Sequence, residues 1–382
     1  MRLRNYFVLS KFILIISACL ITLGLTFIYS SSCVIAYSEY NDAAFFLKRQ
    51  FVFLLIGIIV IYKTINLKME YYKQYADYLY FSSIALLILV LIPGIGKSAG
   101  GSFRWISLGL FKVQAGEIFK CASIVYLSMS LAEKKDKILL LKIEIISHLI
   151  LPTTGMILLL FEPDFGTAFI ILSVTFIMLF ISGVRIIYLL SGSLFALPIL
   201  INVIASSPYR MARVISFIDP WGHRQEGGYQ VVQSLITFGS GGLWGKGIGR
   251  GFSKLYFLPA AHTDFILSII GEELGFIGIC LTIFCFAIII SSGFYIAIKC
   301  KETFEVYLAF GLTSLLAIQA VLNIFVALGL LPTKGLTLPL VSYGGSSLIS
   351  TCWIIGVLVH LGNKINVKTR TDIKTDIKIM MS

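Results

Sequence analysis

Apolar runs of about 20 residues recur along this sequence, and no other feature limits its fold as tightly. A run of that length crosses a bilayer as a helix, because lipid offers no partner to an open backbone N–H or C=O. The other membrane solution, a β-barrel, needs residues that alternate between lipid and lumen, and these runs are continuous. The chain has 382 residues, 58% hydrophobic and 13% charged, which leaves too little polar surface for a soluble protein of its size. The expected fold class is therefore an all-α integral membrane protein. About ten transmembrane helices are expected, near Phe12–Tyr29, Phe51–Leu67, Tyr78–Ile92, Val113–Leu131, Ile143–Phe161, Thr167–Gly183, Ile186–Ala205, Phe265–Ser291, Val306–Leu330 and Ser346–Leu361.

Lys and Arg placement orients these spans. With the N-terminus inside, about 18 basic residues fall in inside segments and about 12 outside, half of the latter in one long loop. Both termini are thus expected in the cytoplasm, and a large loop near 206–264, between helices 7 and 8, outside it. Residues 1–363 read as one membrane domain and 364–382 as a polar, mobile cytoplasmic tail. The N-terminal MRLRNYFVLSK mimics a signal peptide but lacks a small-residue cleavage site, so it reads as the start of a retained helix. The net charge of +12 lies largely between spans, where orientation and anionic headgroups account for it, so no nucleic acid is implied. The seven cysteines lie mostly in or beside apolar runs without metal-like pairing. They read as packing residues.

Polar, glycine-rich material gathers on the outer side: PGIGKSAGGSFRWISLGLFKVQ, EPDFG, the long loop, and LPTKGLTLPLVSYGGSS with Lys334. The long loop carries nine glycines between Gly227 and Gly251, the aromatics Trp221, Tyr229, Trp244, Tyr256 and Phe257, and the basic set Arg210, Arg213, Arg224, Lys246, Arg250 and Lys254. Interleaved aromatics argue for anchoring at the membrane interface rather than disorder. Within this material GKGIGRG suggests a weak phosphate loop, in which backbone N–H groups with Lys246 or Arg250 hold a lipid pyrophosphate.

Asp264 opens the eighth span beside His262. Two readings of it stand: a general base whose pKa burial lifts toward working pH, or a helix N-cap. His262 reads as a hydrogen-bonding neighbour and not a metal ligand, since no second His lies at ligand spacing. Glu272 and Glu273 cannot both face lipid, so one is expected to meet a polar cavity or a cation from another helix. Glu117 and Lys120, at i and i+3, share a helix face, either as an internal ion pair or as the wall of a cavity for an anionic substrate. These features admit a transferase acting on a lipid-linked anion, or a transporter of one.

Six stretches carry a resemblance that spans the chain from the first helix to about His360: FRWISLG, EPDFGT, SPYRMARVISFIDPW, GGYQVVQSLITFGSGGLWGKGIG, FLPAAHTDFILSIIGEELGFIG and LLPTKGLTLPLVSYGGSSL. The chain resembles the SEDS family of bacterial peptidoglycan glycosyltransferases, and TKGLTLP with the DPW…GYQ…QSL spacing is similar to its division branch. The resemblance implies polymerisation of lipid II at the division site, with Asp264, the Asp of the HTDF motif, as catalytic base. Arg104, Glu117, Lys120, Arg210, Lys246, His262 and Lys334 are candidate substrate contacts. No cofactor is implied as fixed; cationic side chains or a divalent cation, Mg or Mn, would stabilise the departing pyrophosphate. The implied partners are a class B penicillin-binding protein and other divisome membrane proteins. A lipid II flippase and a non-catalytic divisome scaffold are the alternatives. Two positions depart from the family pattern: Gln114-Ala115-Gly116-Glu117 lacks its proline, and Ala260 stands where a Glu is usual.

Overall fold

The computed structural model describes residues 2–99, 102–109, 111–133, 142–205, 208–225 and 227–380. Helices α1 (Arg2–Tyr40), α2 (Phe45–Asn66), the short α3 (Met69–Gln74) and α4 (Ala76–Leu91) lead into a small sheet. There β1 (Gly96–Ala99), β2 (Ser102–Leu108) and β3 (Phe111–Gln114) pair antiparallel in chain order. Helices α5 (Ala115–Glu133), α6 (Lys142–Phe161), α7 (Phe165–Ile181), α8 (Ile186–Ala205), α9 (Pro208–Ile218) and α10 (Tyr229–Gly241) follow. The chain ends with α11 (Ile266–Lys299), α12 (Thr303–Ala327) and α13 (Gly345–Met380).

Among the described residues, six helices are long and apolar enough to cross a membrane: α2, α5, α11, α12, and the stretches Leu9–Tyr40 of α1 and Gly345–Ile365 of α13. Apolar but shorter are Ala76–Leu91, Pro152–Phe161 and Phe165–Ile181. Each of the ten expected spans overlaps one helix. The chain is a multi-pass membrane protein, and the coarse expectation of a helical fold is correct.

Three particulars differ from that expectation. The fold is not purely α, because the segment before α5 forms the sheet; its β-branched and aromatic residues suit a pleated surface. The long loop holds two helices, α9 and α10, which supply internal partners for its backbone groups. The polar tail continues α13 as helix to Met380.

Helix α12 is the hub. Leu308, Leu312, Leu315, Leu316 and Ala320 are buried, and it packs on α5, α7, α11 and α13. The outer helices keep large apolar side chains exposed, such as Ile58, Ile59 and Tyr62 on α2, as a lipid-facing surface requires. Helices α2 and α13 approach closely through Gly57, whose added Cβ would lie 2.8 Å from Cys352 Sγ, and Gly356, whose Cβ would lie 2.8 Å from Thr64 Cβ. Small residues permit such contact where lipid supplies no hydrophobic drive between helices. All seven cysteines are free; Cys300 and Cys352 are buried as packing residues, whereas Cys19 and Cys280 are exposed on the apolar surface of their helices.

Candidate active site

Helix α11 begins just after Asp264, and the preceding turn is tightly wound. Ala260, in the left-handed region at φ 55°, turns its carbonyl to accept the N–H groups of Thr263 and Asp264, each at 3.1 Å. The N-cap of α11 is Phe265 and no side chain caps the helix, so Asp264 does not serve as the cap. Its carboxyl instead faces the segment that follows α12. A Cβ added to Gly335 would lie 3.8 Å from Asp264 Oδ2 and 3.6 Å from Arg104 Nη1. The base candidate and the cation from β2 therefore meet across one glycine, where a side chain would fill the gap.

Burial pushes the Asp264 carboxyl up to about 7, against the opposing pull of Arg213 and then Arg104 and a hydrogen bond with Thr263. Arg104 donates from Nη2 to the Pro163 carbonyl at 2.7 Å, and its Nε lies 3.7 Å from Asp164 Oδ2. Arg213 donates from Nη1 to the Thr333 carbonyl at 2.9 Å. Lys334 stands 4.5 Å over the Phe169 ring, and burial lowers its pKa. Segment 333–343 thus lies as a strap over the turn, with Arg104, Arg213 and Lys334 beside it. Its far end is tied by Ser342 Oγ to the Thr263 carbonyl at 2.5 Å and by Tyr343 N–H to the His262 carbonyl at 2.9 Å.

His262 is held neutral. Burial pushes it down to about 4, its Nδ1 is buried without a hydrogen-bond partner among the described residues, and its ring lies 4.7 Å from Phe46 and 5.6 Å from Tyr343. It is a wedge among aromatics, not the hydrogen-bonding residue its type suggests. No group of three or more His, Cys, Asp or Glu residues among those described could hold a metal ion.

Glu117 and Lys120 lie outside the first ring of groups around Asp264. Lys120 Nζ donates to Glu117 Oε1 at 2.8 Å and to Gln319 Oε1 at 2.9 Å, while Ser350 Oγ donates to Glu117 Oε2 at 2.8 Å. Gln319 Nε2 reaches the Thr337 carbonyl at 3.3 Å, so this ion pair braces α5, α12 and α13 against the strap. Helix α5 starts at Ala115, the position at which the family pattern has its proline. The side chain of Arg210 lies outside the described residues.

The glycine loop does not hold a phosphate-shaped vacancy, because the protein's own carboxylates fill it. Glu272 accepts the N–H groups of Phe252 and Ser253 and the Lys246 ammonium at 2.8 Å. Glu273 accepts Gly249 N–H at 2.7 Å, Ser30 Oγ and the Lys254 ammonium at 2.9 Å. Lys246 is therefore committed to Glu272 and not to a substrate at Asp264. Both glutamates take their cations from the loop, where the sequence predicts that one of them meets a polar cavity or a cation from another helix. Helix α11 breaks at Gly275, φ 70° and ψ −166°, where the loop passes so close that an added Cβ would lie 2.4 Å from Gly245 N.

One carboxyl stands apart. Both oxygens of Glu162, in the turn between α6 and α7, are buried without a hydrogen-bond partner among the described residues. Burial, then Asp164, pushes it up to about 8, with Arg104 opposing. The folded protein thus keeps a proton that the unfolded chain releases at ordinary carboxyl pH. Stability accordingly falls as pH rises from about 4.5 to about 8. Glu162→Gln is expected to flatten that decline in denaturant titrations across the window; an unchanged slope would show that Glu162 is solvated.

The family model of cell cycle proteins of the FtsW, RodA and SpoVE type matches residues 10–366. The chain belongs to that family. It is 41% identical to a probable peptidoglycan glycosyltransferase FtsW of Trichlorobacter lovleyi, over 94% of this chain and 95% of the relative. It is 36% identical to the stage V sporulation protein E of Bacillus subtilis, over 91% and 95%. A chain of a peptidoglycan synthase complex, in a structure concerned with coordination of polymerization and crosslinking, superposes with TM-score 0.76 at 28% identity, covering 92% and 97%. The rod shape determining protein RodA of Thermus thermophilus superposes with TM-score 0.68 at 27% identity, covering 92% and 95%. For a member of the FtsW-like group, the residues that sequence reasoning left without a role are Arg213, Gly335, Gln319 and Asn323. The last two are amides four residues apart on one face of an apolar span, and polar groups there are costly enough to have flagged them.

Proposed function

We propose that Asp264 is the general base with which this FtsW-like peptidoglycan glycosyltransferase polymerises lipid II into glycan strands for septal wall synthesis. The observation that carries the reading is the meeting of the Asp264 carboxyl and the Arg104 guanidinium at Gly335. The 4-hydroxyl of the acceptor sugar gives its proton to an Asp264 oxygen as its own oxygen bonds C1 of the donor. The bond from C1 to the pyrophosphate breaks on the opposite face, so configuration inverts from α to β, and undecaprenyl pyrophosphate leaves with the electron pair. Arg104, Arg213 and Lys334 are the cations placed to neutralise it. Arg104 suits a pyrophosphate in particular, because among the described residues its one hydrogen bond is from Nη2.

With α4, α6, α7 and α8 also crossing, ten spans put both termini in the cytoplasm and Asp264 outside, at the level of a substrate already in the outer leaflet. A class B penicillin-binding protein is the partner that cross-links the product, and other divisome membrane proteins place the enzyme at the septum. The test is polymerisation of labelled lipid II by the purified full chain with its penicillin-binding partner, as a function of pH. Because burial sets the Asp264 carboxyl near 7, the rate should rise about tenfold per pH unit below that value and level off above it. A flat profile between pH 5 and 8 sinks the reading.

A further inference from the structure

The geometry points to Asn323 as a positioning residue that fixes the Asp264 base against its cations, an inference that rests on Asp264 being the base. Asn323 lies on α12 and is 1% exposed. Its Nδ2 carries two hydrogens, and both are used on main-chain carbonyls from segments far apart in sequence: Asp264 O at 3.0 Å and Leu336 O at 2.6 Å. Carbonyls only accept, so the amide can face them in one orientation alone. The reverse would set its own oxygen against both. That orientation leaves Oδ1 buried without a partner among the described residues. A buried acceptor is costly to leave unpaired, so the site holds this amide for what Nδ2 does.

What Nδ2 does is join the turn that carries Asp264 to the strap that carries Gly335. The other two ties, from Ser342 and Tyr343, grip the strap at its far end. Among the described residues Asn323 is the tie nearest Gly335, one residue away, where Asp264 Oδ2 and Arg104 Nη1 both approach the glycine. Arg213 and Gln319 hold the strap at the Thr333 and Thr337 carbonyls, two residues to either side, but neither of those bonds joins it to the turn that carries Asp264. Asn323 is thus the group that sets the strap's height over that turn at Gly335, and without it the strap loosens there and admits water to the carboxyl. The charged groups facing that carboxyl are Arg104 from β2 and Arg213 from α9, with neutral His262 two residues before it.

Asn323→Leu removes both hydrogen bonds, and Asn323→Asp keeps the shape but replaces the donor with an acceptor. Assayed as full chains with the penicillin-binding partner and labelled lipid II, both should lose kcat by about 10–100-fold, as a small misplacement of reacting groups does. KM should change far less than kcat, by about threefold at most, because Arg104 keeps its own anchor at the Pro163 carbonyl. The acid limb of the kcat profile should move below 7 as water reaches Asp264. Unchanged kcat and an unmoved acid limb in the folded variants would overturn the positioning role. If Asp264→Asn also keeps turnover, the base reading fails first; if Asp264→Asn is inactive while the Asn323 variants are normal, only the positioning role fails. Should neither Asn323 variant fold, the wild type still decides. With asparagine labelled by nitrogen-15, the Asn323 side-chain protons should exchange with heavy water far more slowly than exposed amides, and rapid exchange would rule out the double clamp.

Discussion

Asp264→Asn is expected to lower lipid II polymerisation by about 10²–10⁴-fold, the range a general base contributes. The substitution is nearly isosteric and keeps one oxygen to accept a hydrogen bond, so packing in the turn changes little. What it removes is the ability to take a proton, and with it the acid limb near pH 7. Stability should hold, because the wild-type carboxylate is itself an uncomfortable occupant: burial, the largest influence on it, disfavours its charged form. Loss of rate with an unchanged melting temperature therefore separates chemistry from folding. Substitutions at this position also separate the alternatives. A flippase would keep moving a fluorescent lipid II analogue across the bilayer with Asn at this position, and a scaffold would let Asp264→Ala complement a depletion strain. Normal polymerisation by Asp264→Asn would end the assignment.

How much of this was legible in the sequence follows from how local each cause is. Spans are legible because bilayer thickness imposes a length and a composition on one continuous stretch, and each expected span overlaps a helix. Arg104 and Asp264 were legible as chemistry but not as neighbours, since 160 residues separate them and the glycine that brings them together belongs to a third segment. The resemblance supplied a role for Asp264 that residue types alone had left open against a helix cap. The glycine loop misled for a definable reason. Backbone N–H groups that can cradle a phosphate can equally cradle a carboxylate, and Glu272 and Glu273 lie nearby in the fold. His262 misled because a ring's surroundings, here Phe46 and Tyr343, decide whether its nitrogens find partners. Arg213 was visible only as one of six basic residues in the loop until α9 placed it against Thr333.

The loop's grip on α11 gives the second large effect. Glu273 is fully buried, and Lys254 is buried with it. All three donors of the ammonium are used, on Ser30 Oγ at 3.0 Å, the Gly249 carbonyl at 2.7 Å and Glu273 Oε1 at 2.9 Å. Lys254→Met leaves a carboxylate in the interior with no opposite charge in contact, which should cost about 3–5 kcal/mol in unfolding of the full chain in detergent. Glu273→Gln strands the ammonium and should cost a similar amount. The double variant should lose much less than the two losses added together, because neither charge is then left alone. Such coupling would show that the loop is held by a dry ion pair and its shared hydrogen bonds. Additive losses below about 0.5 kcal/mol each would instead mean that the pair is solvated, as surface pairs are. In that case Gly249 N–H, which the Glu273 carboxylate accepts, would be open to another anion, while Glu272 would still hold Phe252, Ser253 and Lys246. The stability cycle therefore decides whether Glu273 is a fixed occupant of its part of the loop.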